Sequence, residues 1–511
     1  MRLASALLTA SCGLHASIAT LMSQGTAPEP VVVAQRPTIL PNRWQENWSA
    51  LADPQIKRER FDNLKYIPLS NDDPGTYLSL GLNARGRLET NRAEFFGISP
   101  SYEGEWLLSR LEAHADLRLG KHIQVFTQIQ SAYAPGKAVR APIDQDRLDV
   151  EQAFVGITHA LGGGTFTLRA GRQLIDVDLQ RFLSMRDGPN LRQPYDAVLV
   201  EYRRGGWRLG GLYSQPVQIR DRRPFDDFSD RWLTASGFLI RRPVMGSSEV
   251  SVYYLHYRRG AAHFTSASGD ERREIVDVRL KGAANGFDWD IEAMNQTGRI
   301  GGQAIDAWAF GSVVDYTLAN TSWTPHLGLG VDAASGDRNP HDDRLETFNP
   351  LFPNGYFLAG YTGYVNFVHV KPAVTLRPVT ALNLMVAVAT QWRATTADAV
   401  YAFPSFLWQG RLDGPGATPE RTSSFGRTGC SLPITQSAWE PCTTRSALRF
   451  AKREATTPPT LASNSDMRGE ALSARGLPLM VAIVSLQRGA RRDLADQFSN
   501  ERLVAAAMPS S

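Results

Sequence analysis

Arginine is the residue type with the most chemical potential in this chain, and its placement is patterned. Arg85, Arg87, Arg110 and Arg118 fall on the polar phase of alternating stretches, as do Arg169 or Arg172, Arg203, Arg279 and Arg393. A long loop between Ile175 and Pro194 adds Arg181, Arg186 and Arg192. A guanidinium stays charged at every relevant pH and grips a carboxylate with two parallel hydrogen bonds. A row of them along a pore would lower the barrier to a polyanion and reject cations. Interspersed acids such as Glu89, Glu112, Asp149, Glu151, Asp187 and Asp196 would keep the anion from sticking, because rapid passage needs many weak sites. The competing reading is that these charges pair with one another and fill a non-conducting lumen.

Other chemistries leave no signature. There is no GxSxG, HExxH, Walker loop or paired cysteine ligand set, so no catalytic residue, metal or cofactor is expected. His114, His159, His256 and His263 lack an evident hydrolase partner, and Asp337, Asp342 and Asp343 read as a solvated loop without the ordered spacing of an EF-hand. A net charge of +4 over 511 residues is too small for a nucleic-acid binder. No body segment reaches the roughly 18 apolar residues of a membrane helix. Of the three cysteines, Cys12 is in the leader and Cys430 and Cys442 are in the tail. The cysteine-free body suits passage through an oxidising periplasm.

The elements that must position the arginines are strands. From Tyr77, Leu78, Leu80, Leu82, Ala84, Gly86 and Leu88 alternate with Ser79, Gly81, Asn83, Arg85, Arg87 and Glu89, which is the period of a strand with one wet face. The pattern recurs in about fifteen strands of roughly ten residues, the length of a tilted membrane-spanning strand. Tight connections such as Gly205-Gly206 and Asn285-Gly286 alternate with long polar ones such as 134–147, 175–194 and 335–362, the loop asymmetry of an outer-membrane barrel. Tyr77, Trp106, Trp207, Trp232, Trp308 and Trp323, among other aromatics near strand ends, are expected in interfacial girdles.

The expected organisation is a signal peptide over 1–24, a periplasmic or inward-folded segment over 25–72, a transmembrane antiparallel β-barrel over 73–405, and an atypical tail over 406–511. The tail is rich in Pro, Thr, Ser and Arg without alternation over 410–459, and its apolar run LPLMVAIVSLQR is followed by a charged segment that is a helix candidate. A reading-frame shift near residues 405–412 is the expected origin of the change, because open strand edges cannot be satisfied by lipid.

Gly171-Arg172-Gln173, Arg181, the run RDGPNLR from Arg186 to Arg192, and Tyr195-Asp196 resemble the pattern of the alginate-export family of outer-membrane β-barrels. So do Ser335–Asp337 and Phe348–Phe357, and the resemblance covers about residues 43–405. It implies an all-β barrel of about 18 strands in the Gram-negative outer membrane, embedded among lipid and lipopolysaccharide. It further implies an anionic exopolysaccharide passing outward through an arginine-rich constriction. By motif position, Arg172, Arg181, Arg186 and Arg192 would line the selective zone, joined by Arg85, Arg87 and Arg110 from the strands. Periplasmic export proteins are candidate partners. The alternatives are a general anion or sugar-acid uptake porin, an outer-membrane hydrolase, and a non-conducting export scaffold.

Overall fold

The computed structural model describes residues 35–91, 104–138, 140–175, 185–353, 364–379, 382–399, 401 and 479–488. The leader expected over 1–24, Arg181, the motif residues beyond Pro353 as far as Phe357, and most of the tail lie outside them. Among the described residues, nineteen strand segments form one sheet. Three have only two residues: β1 (Ile67–Pro68), β9 (Phe228–Ser229) and β16 (Arg344–Leu345).

The wall begins with β2 (Tyr77–Asn91), β3 (Gly104–Leu119), β4 (Ile123–Tyr133), β5 (Asp146–Leu161), β6 (Gly164–Leu174), β7 (Pro194–Arg204) and β8 (Trp207–Gln218). It continues with β10 (Leu233–Pro243), β11 (Glu249–His263), β12 (Ser268–Ala284), β13 (Phe287–Ile300), β14 (Gln303–Thr317), β15 (His326–Ala334), β17 (Phe367–Val379) and β18 (Leu382–Trp392). Each pairs antiparallel with the next, β8 passing to β10 and β15 to β17. These are the strands that alternation predicts.

Polarity across this wall is inverted relative to a water-soluble sandwich. On β2, Leu82 and Leu88 are 67% and 70% exposed, whereas Ser79 on the opposite phase is buried. On β3, Arg110, Glu112, His114 and Asp116 are all buried while Leu111 between them is exposed. The same holds on β12, where Val276, Val278 and Leu280 face out and Asp277 and Arg279 face in. Apolar-out, polar-in alternation is the arrangement a strand takes when its surroundings are hydrocarbon and its lumen is wet. The fold is therefore an outer-membrane-type β-barrel.

The longest connections, such as 134–145 and 219–232, lie at one end and most tight turns at the other, although Gly301-Gly302 joins β13 to β14 at the long-loop end and residues 318–325 join β14 to β15 at the opposite one. Asn285 and Gly286 join β12 to β13 with φ of 52° and 83°, the left-handed pair that a two-residue hairpin requires. Trp207 and Trp323 are exposed at the short-turn end, and Trp232 and Trp308 lie exposed toward the loop end, as interfacial aromatics do. Tyr77 and Trp106 depart from that expectation. Both are buried, because they occupy the inward phase of their strands.

The apolar run of the tail, to which the sequence assigns no strand, extends the wall. Leu479–Arg488 forms β19 and pairs antiparallel with β18 from Leu382↔Arg488 to Gln391↔Leu479. A strand edge in lipid must find a backbone partner, and that demand outweighs local pattern. No helix among the described residues is long and apolar enough to cross a membrane.

The N-terminal segment packs on the inner side of the short-turn half. Trp48, Leu51, Ile56, Tyr66 and Tyr77 form one buried cluster. Arg118 donates to the carbonyls of Trp44 and Glu46 at 2.5 and 3.1 Å, Gln124 donates to Trp44 O at 2.9 Å, and Arg169 stacks 3.8 Å over the Trp44 ring.

Charge on the outward phase should be penalised by depth. Leu82→Arg is expected to destabilise the folded barrel by about 2–4 kcal/mol, against about 0–1 for the same change near an interface. Asn83→Arg, on the inward phase, should escape this penalty. Denaturant unfolding in lipid vesicles, followed by tryptophan fluorescence, measures the difference.

Candidate functional site

Residues 185–193, ahead of β7, lie in the lumen as an insert, and their contacts show how it is held. Arg192 is the anchor. Its guanidinium donates from Nε and Nη2 to the two carboxylate oxygens of Glu151 at 2.8 and 2.7 Å, and Nη2 also reaches Glu112. All three side chains are buried. The β4–β5 ladder shifts register between Gln128 and Ile129 and again between Gln130 and Ala132. Such bulges re-aim side chains, and Glu151 and Asp149 are both buried at this irregular end of β5.

Asn190 provides a second anchor. Its Nδ2 lies within hydrogen-bonding distance of the carbonyls of Ser109, Tyr133 and Asp144, at 3.1, 3.1 and 2.8 Å. Wall arginines then bind the loop backbone. Arg85 donates to the carbonyls of Asp187, Pro189 and Asn190 at 3.1, 2.6 and 3.2 Å, and Arg87 to that of Gly188 at 2.6 Å. Arg110 donates to Asn190 O at 3.1 Å and to the Asp187 carboxylate at 2.9 Å, and pairs with Glu112 at 3.1 Å. Burial alone would raise the Asp187 carboxyl, but Arg192 and Arg110 beside it hold it below its ordinary value.

A second insert enters from the far wall. Asn349 donates from its backbone N to Gln296 at 3.0 Å and from Nδ2 to Glu271 at 3.1 Å. Its carbonyl accepts from Gln296 at 2.7 Å, and Arg273 donates to Thr347 O at 3.2 Å. Phe348, Leu351 and Phe352 are buried in the largest apolar cluster. The two inserts touch where Arg186 Nε donates to Pro353 O at 3.1 Å, and the second insert also meets the wall, the Phe352 and β7 Tyr195 rings lying edge to face at 5.3 Å. Arg186 takes a left-handed φ of 53°, uncommon for a non-glycine residue. The two stretches that stand out in the sequence thus form one bridge across the lumen.

The predicted arginines are not equivalent. Arg85, Arg87, Arg110 and Arg192 converge on the first insert, and Arg186 joins the two inserts. Arg172 does not join them. It pairs across strands with Asp196, to which it donates at 3.0 and 3.2 Å. Strand parity places both with the outward Val198, and puts Arg169, Gly171 and Gln173 on the inward phase. Arg172 is also held by the carbonyl of Val150 at 3.2 Å and lies 3.6 Å from the buried Asp149. Gly171 is required because its φ is 130° and a Cβ would lie 2.3 Å from Ala153 O. Asp337, expected to be solvated, is buried and accepts from Ser266 Oγ and Asn339 N, while Asp342 and Asp343 are exposed. The anchoring role of Asn190 carries no sequence signal.

A family model described as "Alginate export" matches residues 76–417. No curated protein matches the chain in sequence. Among solved structures it is similar to OccK11 (OpdR) of Pseudomonas aeruginosa, at 14% identity and a TM-score of 0.40 over 62% of this chain and 80% of that one. It is similar to OccK2 (OpdF) of Pseudomonas aeruginosa in complex with glucuronate, at 12% identity and a TM-score of 0.42 over 62% and 81%. Salmonella typhi OmpF gives 13% identity and a TM-score of 0.37 over 63% and 92%. These likenesses are distant, whereas the family match spans most of the strand wall and both inserts. The chain belongs to the alginate export family, and is a channel of the Gram-negative outer membrane rather than an enzyme.

Proposed function

We propose that this channel passes an anionic polysaccharide, an alginate-like polyuronate or a related acidic solute, past a constriction where Arg85 and Arg87 present positive charge. The observation that carries the reading is the set of partners of Arg85. Its hydrogen bonds go to carbonyl oxygens, while the Asp187 carboxylate stays 4.0 Å away. A carbonyl fixes a guanidinium without cancelling its charge. Arg192, by contrast, is neutralised by two buried glutamates, so its role is to hold the insert and not to meet the solute. Arg85 and Arg87 keep 18% and 29% of their side-chain surface exposed, and Glu89 pairs with Arg87 at 2.7 Å, which tempers the site against tight retention.

The clamped insert also favours a second reading, uptake of small anions or sugar acids, because a narrowed lumen suits a small solute. Lipopolysaccharide is the expected neighbour at the long-loop end. Periplasmic export proteins would meet the short-turn end, where the N-terminal segment packs.

In planar bilayers the wild-type protein is expected to conduct anions in preference to cations. One charge near the ion path is worth about 1 kcal/mol at water-like dielectric. Arg85→Gln should therefore lower the anion-to-cation permeability ratio on the order of fivefold, Arg87→Gln should lower it less because Glu89 already pairs with Arg87, and Arg172→Gln, at a residue paired with Asp196, should leave it unchanged. Cation preference in the wild type would contradict the reading. Arg192→Ala strands two buried carboxylates, a loss of about 3–5 kcal/mol. It should release the insert, raising both conductance and protease cleavage within 185–193.

A further inference from the structure

Three aspartates come together away from the bridge. Asp146 opens β5, Asp149 follows at its bulged end, and Asp227 belongs to the chain between β8 and β9; one carboxylate oxygen from each lies within 4.8 Å of the others. Asp146 is 0% exposed, and neither of its carboxylate oxygens has a hydrogen-bond partner. Asp227 Oδ2 and Asp226 Oδ1 are likewise unpartnered. The rest of the cluster is set by backbone donors: Asp227 N to Asp149 Oδ2 at 3.0 Å, Val150 N to Asp149 Oδ1 at 2.6 Å, and Arg220 N to Asp227 Oδ1 at 2.6 Å.

A buried carboxylate without a donor or counter-charge is costly, and Asp146 is one. Arg172 approaches Asp149 at 3.6 Å, but it is shared with Asp196. Asp221, nearby, is occupied by Arg147 and Gln145. The missing partner must be small, cationic and content with oxygen alone. Calcium binds oxygens at about 2.3–2.6 Å, so ligands on opposite sides of one ion stand about 4.6–5.2 Å apart. The separation within this cluster fits inside one such sphere.

We propose that Asp146, Asp149 and Asp227 bind a calcium ion that pins residues 219–227 to the end of β5. The same end of β5 carries Glu151, so the ion and the Arg192 clamp share one bulged segment.

The test uses the full-length protein, refolded into detergent without lipopolysaccharide, stripped with chelator and titrated calorimetrically with calcium chloride. The expected result is one ion per chain with a dissociation constant in the range of roughly 10⁻⁴–10⁻³ M, as in extracellular calcium modules. Asp146→Asn combined with Asp227→Asn should abolish the heat, and Asp342→Asn should leave it intact. Calcium should raise the melting temperature of the wild type only. The double variant, relieved of buried charge, should melt above the metal-free wild type. Should the double variant fail to fold, the wild-type titration alone decides. Absence of saturable calcium binding by folded wild type, or unchanged binding in the double variant, would overturn the proposal.

Discussion

Hydrocarbon offers a peptide group no hydrogen-bond partner, so every strand that enters a membrane must be paired along both edges. Much of this structure follows from that constraint. It explains why the wall is one sheet with antiparallel neighbours throughout its long strands, and why a tail segment without alternation lies against β18. It also explains the inversion of polarity. With the backbone satisfied by the ladder, apolar side chains go outward, and the inward phase is free to carry charge.

An interior full of charge needs organisation, because a buried ion left unpaired costs several kcal/mol. The lumen meets this need with inserts. The first brings Arg192 to Glu112 and Glu151 and offers its carbonyls to Arg85, Arg87 and Arg110. The second lays Asn349 along Gln296 and Glu271. Where acids meet guanidinium, charge is consumed and the insert is fixed. Where carbonyls meet guanidinium, the insert is fixed and charge remains. That distinction separates residues that build the bridge from those that can face a solute.

Strict period-two alternation made the strands of the wall legible in the sequence, since each side chain's environment is dictated by parity alone. Where alternation fails, sequence reasoning fails with it. Leu479 to Arg488 lacks a wet face in sequence, so its pairing could not be read from pattern. The candidate site was legible at the level of residue type: an arginine-rich loop between two strands, and a second aromatic insert. Partners were not. Placing Arg169 and Arg172 requires the register of β6 against β5 and β7. The Asp146, Asp149 and Asp227 cluster depends on two bulges and a folded loop, neither of which leaves a trace in spacing.

The central claim is that the bridged lumen still presents unneutralised positive charge to a passing polymer. Single-channel current through the wild-type protein, recorded while oligouronates are added to one side, tests it most directly. The account predicts transient blockades by the acidic oligomer, with short residence, and none by a neutral oligosaccharide of equal length at the same concentration. Equal blockade by both, or by neither in an open channel, would contradict it.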